Sequence, residues 1–111
     1  MAKMSSFKKV SGGYSADLAN QLLEGVSGLT VVGSGLVPQY VWDSEAKSYT
    51  DDLESYSLAV GAPEVEPFSV KLPAESSGDF AFGSHVRFDG LEACQVRTNV
   101  YFRARSVKVV K

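Results

Sequence analysis

The sequence predicts a mainly β protein, a small five-stranded curved barrel with one short N-terminal helix, and three observations carry that prediction. After Gly28 the chain turns to β-branched and aromatic residues in short runs broken by Gly, Pro, Asp and Ser. Two of those runs, 56–60 and 68–72, alternate in character, as does YFRAR at 101–105. Gly33 and Gly35 interrupt the first extended run, where missing side chains let a strand bulge or coil around a barrel corner. Unequal strand lengths, an interrupted first strand and a long last strand describe an OB-like barrel, with a generic β-sandwich as the competing architecture.

The chain has 111 residues, 44% of them hydrophobic and 22% charged, enough to bury one core and ordinary for a globular protein. Residues 1–13, rich in Lys, Ser and Gly, read as a flexible basic arm, and 14–111 as a single β-rich domain. Ala16, Leu18, Ala19, Leu22, Leu23 and Val26 recur at helical spacing behind Ser15, a capping residue, and Gly25 and Gly28 stop the pattern. A helix this short needs a packing partner, so its Leu18, Leu22 and Val26 stripe is expected on the sheet.

The first strand is expected over 29–37, limited by Pro38 and followed by a short extended piece at 40–42. Asp43, Glu45, Asp51, Asp52 and Glu54 around Lys47 read as an acidic hairpin loop. Residues 56–60 and 68–72 are strands, and 74–78 is a turn. The alternating run 85–88 leads into Asp89-Gly90, a favoured hairpin dipeptide, and the next strand begins near Leu91. From 93 to 110 a long extended stretch breaks near Thr98-Asn99, with Val100, Phe102, Ala104, Val107 and Val109 inward and Tyr101, Arg103 and Arg105 outward. Phe68, Phe80, Phe82, Phe88 and Phe102 are expected to fill the core.

Enzymatic chemistry is poorly supplied. The single His85 and single Cys94 could face each other across the Asp89-Gly90 hairpin, but no orienting group or oxyanion site accompanies them. Cys94 in its apolar context reads as a packed thiol. Asp51 with Asp52, and Glu64 with Glu66, lie in turn-rich sequence and read as solvated. GSG at 33–35 lacks the lysine and the helix of a phosphate loop. No histidine-bearing metal spacing occurs, so neither a metal nor a cofactor is expected. The longest apolar run is too short to span a bilayer and no secretory signal pattern opens the chain, so a cytoplasmic protein without membrane contact is expected.

Charge is segregated. The net charge is −2, yet 93–111 holds Arg97, Arg103, Arg105, Lys108 and Lys111 without a carboxylate. Single-stranded nucleic acid needs aromatic faces for stacking beside cations that follow its phosphates. Tyr40, Trp42, Tyr56 and Tyr101 supply the first and Lys71, Arg87, Arg97, Arg103 and Arg105 the second, so these nine are the expected nucleic-acid-binding residues. The acidic loop 43–54 would repel phosphate and is better suited to a protein partner. The rival reading is a structural or protein-interaction β-domain of a phage or plasmid, a homo-oligomer assembling through strand edges without nucleic acid.

YVWD, SYSLAV, PFSVKLP, FAFGSHVRFDGLEA and VYFRARSVKVV, spread over 40–110, resemble a small family carried by Gram-positive conjugative elements and related plasmids or phages. The VKLP element at 70–73 and the FRARSV ending at 102–107 carry most of the likeness. The resemblance implies an OB-like accessory protein for replication or transfer of mobile DNA, non-catalytic, binding single-stranded DNA. It implies a replication protein or helicase as the partner met by the acidic loop. Those proteins begin almost directly with a strand, whereas this chain has the arm and helix of residues 1–26 first.

Overall fold

The computed structural model describes residues 13–110, so most of the expected basic arm, residues 1–12, lies outside the described residues. One helix and eight strands follow: α1 (Ala16–Leu22), β1 (Leu29–Val31), β2 (Val37–Asp43), β3 (Ser48–Ala62), β4 (Val65–Pro73), β5 (His85–Asp89), β6 (Glu92–Val96), β7 (Asn99–Arg103) and β8 (Ser106–Val109). They form one strongly curled, half-barrel sheet in the order β6-β7-β4-β3-β1-β5-β8, with β2 paired to β3 beside this path. The architecture is mainly β, with eight strands where the sequence suggests five.

The helix begins where expected, the Ser15 hydroxyl accepting from the Leu18 amide at 3.1 Å. It ends at Leu22, four residues before Val26, because Leu23 and the positive φ of Gly25 (84°) unwind the last turn. Its core face is Ala19, flanked by Leu18, Leu23 and Val26, while Leu22 is exposed, a correction to the expected stripe. Ser15 also exchanges two backbone hydrogen bonds with Ala93, at 2.8 and 3.0 Å, which ties the start of α1 to β6.

The glycine corner is sharp enough to divide the expected first strand. A Cβ on Gly33 would lie 3.2 Å from that of Ala59, and Gly35 takes φ 111° against the Phe80 carbonyl. β1 and β2 therefore pair with different halves of β3: Val31 with Val60, and Val37 to Asp43 with Ser57 to Ser48. Pro38 lies within β2 rather than ending it, because β2 is an edge strand. The acidic segment is mostly strand: only 44–47 turn, and Asp51, Asp52 and Glu54 belong to β3. The β2–β3 hairpin spanning residues 37–54 thus runs on from the body. A radius of gyration of 15.5 Å fits such a projection, since a compact chain of this length has about 13 Å.

Asp89-Gly90 is not a hairpin. β5 pairs with β1 and β8, whereas β6 pairs with β7 through the turn at Arg97-Thr98, where Arg97 takes φ 59°. Short-range hairpin logic fails here because both β5 edges are taken by strands distant in sequence. The expected long last strand is three: β6, β7, and β8 beyond a break at Ala104-Arg105. β7 lies parallel to β4, with Val70 beside Phe102 and Lys71 beside Arg103, and β8 lies antiparallel to β5. The run 99–109 therefore borders β4 with its first half and β5 with its second, curling the sheet back on itself.

Val31, Leu58, Val60, Val70 and Leu72 are fully enclosed, joined by Leu29, Phe80, Val86, Ala93, Phe102 and Ala104. Each buried Val or Leu contributes about 1.5–3 kcal/mol. Phe68 and Phe102 pack with ring centroids 4.4 Å apart. Three inward expectations are corrected: Phe82 is 75% exposed in the turn just before β5, Val100 is exposed because it lies next to the β6–β7 turn, beyond the part of β7 that pairs with β4, and Val109 is exposed on the border strand β8. Among the described residues no helix is long and apolar enough to cross a membrane.

Candidate nucleic-acid interface

Alternation along β3 and β4 sends Leu58, Val60, Val70 and Leu72 into the core, so Ser55, Ser57, Ser69 and Lys71 lie toward the other face. Ser55 is nevertheless buried, whereas Ser69 and Lys71 are exposed. β7 adds Tyr101 and Arg103 to that face, the inward places being taken by Phe102 and Ala104. The result is a groove of about 540 Å³ across the sheet, lined by Gln39 and Glu54 at the base of the β2–β3 hairpin and by Val100 and Tyr101 of the β6–β7 hairpin. Ser57, Ser69 and Lys71 lie between these walls, and Tyr14 closes one side. A smaller hollow of about 210 Å³ shares Tyr14, Glu54, Ser55 and Lys71 with it and adds Arg103.

Arg103 is held from two directions. Its Nε donates to Glu92 Oε1, its cross-strand partner, at 2.8 Å, and its guanidinium carbon lies 4.0 Å from the centroid of the Tyr14 ring. Because the side chain is half exposed, the ion pair adds little stability but fixes where the charge sits. Lys71 is the register partner of Arg103 on the neighbouring parallel strand, so the two cations stand side by side. Glu54 and Glu92 oppose them, leaving the groove close to neutral as a whole.

Of the nine expected residues, Lys71, Tyr56 and Tyr101 line this groove and Arg103 lines the adjoining hollow. Tyr56 is partly buried and packs on the core cluster, so it offers less of its ring than Tyr101, which is 50% exposed. The other five lie elsewhere. Tyr40 and Trp42 stand on the β2–β3 hairpin, where Trp42 meets Tyr49 edge to face at 4.9 Å and two register shifts re-aim the side chains. Arg97 occupies the β6–β7 turn. Arg87 faces Lys108 across β5 and β8, and Arg105 pairs with Asp89 at 3.3 Å. Tyr14 and the serines were missed by sequence reasoning. The alternation of SYSLAV and FSVKL does signal Ser57 and Ser69, but nothing local marks Tyr14.

His85 and Cys94 do not form a pair. The His85 Nδ1 lies 3.2 Å from Thr30 Oγ1, and Cys94 is buried on β6 opposite Tyr101. Among the described residues no three His, Cys, Asp or Glu side chains cluster to hold a metal ion. Compared with family models, with curated proteins and with solved structures, the chain matches none.

Proposed function

We propose that this chain is a non-catalytic accessory protein that binds single-stranded DNA in the groove over β3, β4 and β7. The observation that carries the reading is the register pair Lys71 and Arg103, two adjacent cations bordered by the rings of Tyr101 and Tyr14. Cations beside open aromatic faces are what a single strand requires. Two stacked bases at about 1–3 kcal/mol each, about 2–6 kcal/mol together, correspond to dissociation constants from roughly tens of millimolar to tens of micromolar before phosphate contacts are added. A cytoplasmic role in replication or transfer of mobile DNA rests on the resemblance in 40–110.

An OB-like barrel is the finer fold reading. Counting β1 with β2 as one interrupted strand and β7 with β8 as one kinked strand leaves five strands and an added β6. In that fold, oligonucleotides bind the face of the second and third strands between two flanking loops. Here β3 and β4 take that place, between the β2–β3 and β6–β7 hairpins. The acidic hairpin, which would repel phosphate, then faces a protein rather than the strand. The rival reading, an interaction domain without nucleic acid, is favoured by the exposed aromatics on that same hairpin.

Fluorescence anisotropy of labelled oligo-dT tests the proposal. Affinity falls as salt rises, with a log–log slope of about −1.4 for two neutralised phosphates. Lys71→Glu weakens binding at least tenfold, whereas Arg87→Glu, outside the groove, changes it less than threefold. A titration that stays flat up to about millimolar protein at low salt selects the interaction-domain reading instead.

A further inference from the structure

Among the described residues three strands border the sheet, each with one edge that no other strand pairs: β2, β6 and β8. β6 is covered at its start by Ser15, through the two backbone hydrogen bonds with Ala93. Among the described residues β2 pairs only with β3, and β8 only with β5. A bare ladder recruits another strand, so edges are normally blunted with charge or proline. β2 carries such protection only toward its ends, at Pro38 and Asp43. Between them residues 39–42 hold no charge, and Tyr40, Val41 and Trp42 are all exposed.

The two free edges differ in sign. The β2–β3 hairpin carries Asp43, Glu45, Asp51, Asp52 and Glu54 against the single Lys47, and among the described residues none of these carboxylates forms an ion pair. At the other edge, exposed Arg87 and Lys108 are direct cross-strand partners. Like charges directly opposite each other repel, and among the described residues neither has a carboxylate partner. Asp89, close by, is engaged with Arg105.

We propose that a second copy of this chain is the partner of both edges: the β2 edge of one copy extends the sheet at the β8 edge of the next. The hairpin carboxylates then neutralise Arg87 and Lys108, and the exposed aromatic strand is covered. Joining two different patches is a head-to-tail contact, so it builds open chains or rings rather than an isolated twofold dimer. The contact reaches the groove only at its rim, through Gln39 and Glu54, and leaves Lys71, Tyr101 and Arg103 untouched, so it is tested separately from DNA binding.

Sedimentation velocity of the full chain over a hundredfold concentration range, at about 50 and about 500 mM salt, tests it. At low salt the average mass rises with concentration past that of a dimer, and it falls back at high salt. Two double variants, Asp51→Lys with Asp52→Lys and Arg87→Glu with Lys108→Glu, each remain monomeric alone. Mixed in equal amounts they pair, because the unaltered β8 edge of the first variant meets the unaltered acidic hairpin of the second. A wild-type chain that stays monomeric at low salt overturns the proposal. So does assembly that both double variants retain, or a mixture that stays monomeric.

Discussion

The guanidinium of Arg103 lies over the ring of Tyr14, 4.0 Å from its centroid, joining a residue just before the helix to one on β7. This contact anchors the residue ahead of α1 and presents a cation already oriented at the groove. Tyr14→Ala lowers stability by about 0.5–1 kcal/mol, the size of an exposed cation–aromatic contact, read from urea denaturation. In anisotropy titrations Tyr101→Ala weakens oligo-dT binding about 5- to 150-fold, the loss of one stacking platform.

Trp42 lies on the hairpin and not in the groove, 51% exposed against Tyr49. Tryptophan emission therefore changes little when oligo-dT saturates the protein under conditions where it is monomeric. Trp42→Phe leaves the affinity within twofold of the wild type, measured by anisotropy.

Phe102 bridges core and groove, its own ring inward on Phe68 while its neighbours Tyr101 and Arg103 point outward. Phe102→Ala leaves a cavity that costs about 3–5 kcal/mol. Thermal unfolding followed by circular dichroism reads the loss directly.

Two turn positions respond with opposite signs. Lys47 adopts φ 56°, a left-handed conformation that costs a residue with a Cβ about 1 kcal/mol, so Lys47→Gly raises the melting temperature by a few degrees. Gly90 has φ 71°, and a Cβ there would meet Arg105 Nε at 2.5 Å. Gly90→Ala therefore lowers the melting temperature, and the flexible Arg105 side chain swings away from Asp89.

What the sequence shows well is set by local alternation. The inward register of Phe102 and Ala104 against Tyr101, Arg103 and Arg105 is legible in YFRAR, and the Ser15 cap in the residues that follow it. What it conceals is long-range. The parallel pairing that puts Lys71 beside Arg103 spans over thirty residues, and no local propensity encodes it. Asp89-Gly90 carries a hairpin signal, but β5 finds β1 and β8 instead. The carboxylates from Asp43 to Glu54 suggest a loop because polarity marks solvent. A projecting hairpin is solvated on both faces, so strands there need no apolar alternation. Residue type alone groups Tyr40 and Trp42 with Tyr101, and the direction of that hairpin separates them.

A single strand lying in the groove perturbs the backbone amides it touches, which a titration of isotopically labelled protein with oligo-dT at about 500 mM salt or less reads residue by residue. Shifts are expected at Ser57, Ser69, Lys71, Tyr101 and Arg103, with Tyr40, Trp42 and Tyr49 unmoved. Shifts confined to the β2–β3 hairpin, or none at saturating oligonucleotide, would rule out binding in the groove.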